Sequence, residues 1–233
     1  MRTSSILISG AVAAVAVAGS ANAAVVWQTF DSLATAADTG AVSPTAGNAT
    51  FLSAVSSVSI TTDSWSSTRV LTGTEAQSRM QITSGTAIFT SGRGPDTVIN
   101  LPGFGPFTTP GNPGNAAIQY QSFGTRNLTN FQFRLNVTNV TNGGGNLIAL
   151  IGDGVNTVTR TNSVSAIGFQ IFDFSSETGL SAMNLIRFEF VGANPTFGST
   201  RSVTVDSIQY VPAPGALALL GAAGLVGTRR RRC

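Results

Sequence analysis

Along the middle of the chain, apolar and polar residues alternate with a period of two. Phe131, Phe133, Leu135 and Val137 alternate with Gln132, Arg134, Asn136 and Thr138, and Ile186, Phe188 and Phe190 alternate with Arg187 and Glu189. In an extended strand each such run puts its apolar side chains on one face and its polar ones on the other. That suits an antiparallel sheet with one face on a core and one in water. Residues 165–174 differ. Ile167, Phe169 and Ile171 share one face while Phe172 and Phe174 share the other, so a central strand covered on both sides is expected there. Further strands are predicted at 25–30, 54–61, 79–90, 116–123, 146–151, 155–160 and 201–210. Gly143-Gly144-Gly145 and Gly152-Asp153-Gly154 supply positive φ angles for tight reversals. Residues 102–115 contain four Pro and four Gly, which predicts a long exposed loop. No long amphipathic helix pattern is present between the termini. About ten short strands with Gly-rich turns predict an all-β domain over 24–210, an antiparallel two-sheet sandwich of jelly-roll type.

The two ends follow other rules. Arg2 precedes an apolar run over 6–18, and Ala21-Asn22-Ala23 then supplies a small-residue cleavage site. Charge, apolar stretch and cleavage site come in the order of a secretory signal peptide, so residues 1–23 are read as one, cut after Ala23. At the other end, Val211-Pro212-Ala213-Pro214 precedes an apolar stretch over 215–227, followed by Thr228, Arg229, Arg230, Arg231, Arg232 and Cys233. The prolines block helix continuation backwards, so a short apolar helix should begin near Pro214. About 14 residues at ~1.5 Å each give ~21 Å, short of the ~30 Å hydrocarbon core, so this segment spans a membrane only with arginine snorkelling and local thinning. The arginine cluster belongs on the cytoplasmic side.

Residues 211–233, with a Pro motif, a brief apolar helix and a terminal Arg cluster, resemble the PEP-CTERM sorting signal of exported bacterial proteins. The family's central Glu between the two prolines is Ala213 here. The resemblance implies export by the Sec machinery, removal of the leader by signal peptidase and transient retention in the inner membrane. It further implies cleavage near the Pro motif by an exosortase-like transpeptidase, with a cell-surface or extracellular-matrix destination in a bacterium that makes exopolysaccharide. Removal of the tail would leave a mature protein without cysteine, so its stability would not rest on disulfides.

Composition narrows the chemistry. The chain of 233 residues has no His, no Lys and a single Cys at its last position. Histidine general-base catalysis, His or Cys zinc sites, lysine Schiff bases and the lysine P-loop are thereby excluded. The formal charge of +3 is carried by the ends. Without Arg2 and the four terminal arginines, eight Arg face ten acids, a net of −2. No basic patch with interleaved aromatics is present, so no nucleic-acid partner is expected.

The remaining candidates are few. Asp173, Glu177 and Glu189 are the acids available for a glycosidase pair, which needs carboxyls ~5 or ~9 Å apart, but Glu189 beside Arg187 also suits a surface ion pair, and no catalytic residue is assigned. Gly152-Asp153-Gly154 lacks the other carboxylates of a calcium loop and reads as a hairpin turn. The N-x-Thr sequences at Asn48, Asn127, Asn136 and Asn139 carry no assigned glycan. Trp65, in a polar stretch, and Tyr120 are the candidate carbohydrate-stacking rings, with a core-capping role for Trp65 as the alternative. Asp31 and Asp206, in the first and last strand regions, resemble the acids that carbohydrate-binding jelly rolls gather around a structural calcium; a turn for Asp31 and an Arg partner for Asp206 are the alternative. The parity change from Val203 and Val205 to Ile208 and Tyr210 predicts a β-bulge near Asp206. Three functions compete: a non-enzymatic surface or matrix protein with a structural or adhesive role and contact with exopolysaccharide; a carbohydrate-binding jelly-roll module; and a secreted carboxylate-dependent hydrolase. A groove with exposed aromatics favours the second, and convergent acids in a deep cleft favour the third.

Overall fold

The alternation becomes strands. In the computed structural model they are β1 (Val25–Gln28), β2 (Ala41–Val42), β3 (Ser53–Thr62), β4 (Trp65–Thr74), β5 (Arg79–Thr83), β6 (Thr86–Ser91), β7 (Thr97–Leu101), β8 (Gly105–Thr109), β9 (Asn115–Arg126), β10 (Gln132–Thr141), β11 (Gly145–Gly152), β12 (Thr157–Val164), β13 (Gly168–Asp173), β14 (Met183–Gly192) and β15 (Arg201–Val211). Among the described residues one 3-10 turn, Leu180–Ala182, precedes β14. The structure describes residues 25–28, 30, 41–42, 53–62, 65–74, 77–83, 85–94, 96–102, 105–195 and 198–211, all within one unit, Ala23–Ala213. The signal peptide and the sorting segment from Pro212 onward lie outside the described residues. Val211 closes β15 opposite Gln132, so the last strand runs one residue past the expected boundary.

The topology is a folded-over hairpin. β11 pairs with β12, β10 with β13, β9 with β14 and β6 with β15, all antiparallel and nested around the β11–β12 turn. Alternate pairs fall in two sheets. Sheet A runs β13-β10-β15-β6-β5-β2, with β1 also on β15; sheet B runs β12-β11-β14-β9-β4-β3. These eight nested strands give the jelly-roll order, so the protein is an all-β, antiparallel two-sheet sandwich of that type. The turn at the head of β11 is made by Asn142 (φ 59°), Gly143 (φ 89°) and Gly144 (φ 71°). A Cβ on Gly144 would sit 1.8 Å from the Val164 carbonyl oxygen, so no other residue fits there.

Inward-facing residues of both sheets fill the core. Phe133, Leu135 and Val137 of β10 and Ile186, Phe188 and Phe190 of β14 are buried, as their alternation predicts. Phe133 sits 5.6 Å from Phe188 and 6.3 Å from Phe174, both edge-on, and 5.9 Å from Trp27. Arg69 is the one charged side chain among the described buried residues. The predicted bulge is present: Asn136 pairs with Ser207 and Val137 with Val205, which leaves Asp206 as the extra residue.

Three expectations are corrected. Residues 79–90 are not one strand but the β5–β6 hairpin, turned at Gly85 (φ 75°). Residues 102–115 are not all loop: β8 pairs with β7 in a hairpin that leaves Val98, Ile99 and Phe107 exposed, and Pro106 is accommodated because this two-stranded ribbon has free edges. The 165–174 segment is not central. β13 is the edge of sheet A; Phe172 and Phe174 point inward, while Ile167, Phe169 and Ile171 are 70%, 53% and 46% exposed.

Candidate functional site

The residues singled out from sequence do not converge. Tyr120 is fully buried on the inner face of β9, 4.5 Å from the Trp27 ring, so it cannot stack on a sugar; this corrects its assignment as a binding residue. Burial pushes its phenol well above the ordinary tyrosine range, with Arg69 opposing the shift. Trp65 opens β4 opposite Thr62, and its side chain lies outside the described residues. Asp31 also lies outside them. Asp206 is exposed at its bulge and accepts a hydrogen bond from Asn136 Nδ2 at 3.3 Å, an amide partner where an arginine was the alternative. Among the described residues no group of three His, Cys, Asp or Glu is placed to hold a metal ion.

The acids weighed for hydrolysis each have hydrogen-bond or ion-pair partners, and Arg160 contacts both Glu177 and the Asp173 carbonyl. Glu177 pairs with Arg160. Asp173 accepts from the Ser175 amide at 2.8 Å, and the side-chain and backbone hydrogen bonds of Ser175 hold its carboxyl below the usual range. Asp153 accepts from the Asn156 and Val155 amides, at 2.6 and 2.8 Å, which closes the β11–β12 turn and lowers its pKa. Glu189 joins a larger arrangement on the outer face of sheet B.

That face is built where β14 lies between β11 and β9. Opposite Ile186, Phe188 and Phe190, the β14 side chains Arg187 and Glu189 point outward, as do Asn115, Gln119 and Gln121 of β9. Register places Arg187 across from Gln119 and Glu189 across from Ala117. A continuous hydrogen-bonded row follows. Thr74 Oγ1 donates to Asn115 Oδ1 at 2.7 Å, and Asn115 Nδ2 to Glu189 Oε1 at 2.5 Å. Arg187 Nε and Nη2 each lie 3.0 Å from Glu189 Oε2, and Arg187 Nη1 donates to Gln119 Oε1 at 3.4 Å. Gln119 Nε2 donates to Gln121 Oε1 at 2.7 Å. Ala117 is fully buried although it lies on this outer face, and its small side chain leaves room for the long polar groups to lie flat across it.

A depression lies beside each end of the row, one lined by Gln121 itself and one by Val191, the partner of Asn115. One, of about 710 Å³, is bordered by Asn146, Val191, Arg93 and Gly111. The other, of about 490 Å³, is bordered by Gln121, Leu185, Ser122, Thr125 and Asn184. Asn146 pairs with Val191 at the first end, and Leu185 pairs with Gln121 at the second. Leu185 and Val191 are six positions apart along β14, about 20 Å at ~3.3 Å per residue. Ile148 and Leu150 of β11 flank the row with partly covered apolar side chains. Sequence reading missed this row, although Gln119-Tyr120-Gln121 and Arg187-Phe188-Glu189 each signal two polar side chains on one face. The missing information was that these two triplets are neighbours.

No protein-family model and no curated protein matches the chain. Among solved structures, it superposes on a family 11 carbohydrate-binding module from Clostridium thermocellum, in complex with a β-1,3-1,4-mixed-linked tetrasaccharide. The identity is 12% and the TM-score 0.38, covering 82% of this chain and 98% of that one. A second match is a mutant of the family 29 carbohydrate-binding module CBM29-2, at 10% identity and a TM-score of 0.34, covering 70% and 94%. A third is PfGH50B, at 10% identity and a TM-score of 0.33; 53% of this chain is matched, and it spans 22% of that protein's length.

Proposed function

We propose that this chain is an exported, non-catalytic β-sandwich that binds an extracellular polysaccharide along the outer face of sheet B. The observation that carries this reading is the row from Thr74 to Gln121. Its donors and acceptors alternate on three adjacent strands of a rigid sheet, so little ordering remains to be done when a polymer of hydroxyl groups docks. An open strip with depressions at its ends suits an extended chain better than a small molecule, which usually takes an enclosed pocket. Asp173, Glu177 and Glu189 are each already satisfied by a hydrogen bond or an ion pair, which gives hydrolysis no support. Display and binding are one role here: the sandwich presents its face wherever the C-terminal segment delivers it. Export after Ala23, and sorting through Val211-Pro212-Ala213-Pro214 by an exosortase-like enzyme, rest on the order of features at the two ends and the PEP-CTERM resemblance.

The test of binding is affinity electrophoresis of residues 23–213, a fragment that contains the whole core cluster from Trp27 to Ile208. Retardation in gels carrying polysaccharide is expected, and Gln119→Ala with Gln121→Ala together should weaken it about tenfold, the loss of two modest hydrogen bonds. Undiminished retardation of the double variant would remove this face from consideration. Processing is checked by the intact mass of protein recovered outside the cell, expected to begin at Ala24 and to lack residues 229–233.

A further inference from the structure

We infer that the polymer recognised by this face is electrically neutral, a conclusion that rests on the polysaccharide-binding reading. The row holds one cation and one anion. Both side chains are largely shielded, with relative exposures of 22% for Arg187 and 20% for Glu189. Two guanidinium nitrogens lie 3.0 Å from the same carboxylate oxygen, so the fork that would grip an incoming carboxylate bidentately is already occupied. An anionic sugar approaching the remaining Nη1 edge would meet the Glu189 charge beside it. A cationic sugar approaching Glu189 would meet Arg187, and the other Glu189 oxygen already accepts from Asn115. At the depression bordered by Arg93 the charges again cancel, because Arg93 is paired with Asp96. A neutral hydroxyl has no such penalty. It can accept from the amide of Gln119 or Gln121 and donate to a carboxamide or carboxylate oxygen, and it requires no charge to be stripped of its partner. The ion pair therefore works as a polar, hydrogen-bonding surface with its charge cancelled, and recognition should be nearly independent of salt because no counterions are exchanged.

The experiment compares residues 23–213 in gels containing a neutral glucan, a neutral mannan or a polyuronate, at low and high salt. Variants are Glu189→Gln, Arg187→Met and the double Arg187→Met/Glu189→Met, with Arg134→Gln on sheet A as the control and thermal midpoints as the check on folding. The intact protein should be retarded by a neutral polymer, with an affinity that changes less than about twofold with salt, and should ignore the polyuronate. Glu189→Gln uncovers Arg187, so it should gain retardation by polyuronate that high salt abolishes. The double variant should lose neutral binding about tenfold or more without that gain. Preference of the intact protein for polyuronate would overturn the neutral assignment while leaving polysaccharide binding in place. So would a Glu189→Gln variant that is folded and gains nothing on polyuronate. Absence of retardation by every polymer would overturn the binding reading itself, and this inference with it.

Discussion

Phe133→Ala tests the sandwich where its two sheets meet. The ring is buried and touches aromatic neighbours from three places: Phe188 on β14 at 5.6 Å, Phe174 beyond β13 at 6.3 Å, and Trp27 on β1 at 5.9 Å. Truncating a buried Phe costs about 3–5 kcal/mol through lost transfer free energy and the cavity left behind. The upper end is expected here. The lining groups are anchored on both sheets and cannot all move into the gap, and each lost aromatic pair removes about 0.5–1.5 kcal/mol beyond its area. For a domain of this size the change lowers Tm by roughly 10–15 °C, at about 2–4 °C per kcal/mol. The neighbouring Arg134 lies on the outer face of β10, opposite Ile171 and Gln209. Arg134→Gln should therefore cost within about 0.5 kcal/mol, as surface substitutions usually do. Urea unfolding of both variants with unchanged m values isolates the two free energies. Equal costs, or a Phe133→Ala cost below about 1 kcal/mol, would refute the assignment of faces on β10.

Other outcomes are equally specific. Among the described residues the buried Tyr120 hydroxyl has no hydrogen-bond partner, and its folded pKa is raised; its contribution is thus fully present below about pH 10 and lost as pH rises beyond that. Tyr120→Phe should leave stability at neutral pH unchanged or higher by up to ~1 kcal/mol and flatten the alkaline loss in urea melts; a clear destabilisation would contradict this. Asp173 has a lowered folded pKa, so its contribution is present above about pH 4 and lost as pH falls below it. Asp173→Asn should flatten the acid limb of a Tm-against-pH curve, and an unchanged limb would assign acid sensitivity elsewhere. Replacing Ile167, Phe169 or Ile171 by Thr should cost under about 0.5 kcal/mol each, whereas Phe172→Ala should cost about 3–5 kcal/mol. Comparable losses in thermal melts would mean that both faces of β13 are covered.

Fold class was legible because period-two alternation is local. Phe133, Leu135 and Val137, or Ile186, Phe188 and Phe190, declare their buried face without reference to any other strand. Even the bulge at Asp206 was visible, since a parity change within one strand needs no partner to reveal it. Strand order was not legible, because it depends on which runs become neighbours. The site suffered for that reason. Tyr120 shares parity with Ala116 and Ile118, so alternation places it inside with them, and its ring chemistry does not override that. Gln119 and Gln121 become a site only because β9 pairs with β14 in the register that sets Arg187 against Gln119. One residue of slip would have turned all of these side chains inward.

β13 shows how an edge can carry an apolar stripe. A strand apolar on both faces predicts a central position, because an exposed edge of that kind invites pairing with another chain. Here the nested topology fixes the position instead. β13 is the partner of β10, and β10 is already joined on its other side to β15, so the eight-strand order leaves β13 outermost. Its unpaired edge is then blunted from the neighbouring sheet. Asn162 Nδ2 of β12 donates to the Ile171 carbonyl at 2.8 Å, and Arg160 Nε donates to the Asp173 carbonyl at 3.0 Å. Arg160 is held in place by Glu177 and lies 5.5 Å from the Phe174 ring centre. Two of the acceptors that an incoming strand would need are thus already used by side chains, and the Phe169–Ile171 stripe remains an exposed face rather than an open edge. Two ion pairs of this sparsely charged chain serve a common purpose. Arg160 with Glu177 closes an edge, Arg187 with Glu189 levels a face, and in each pair the charges are spent on positioning hydrogen bonds.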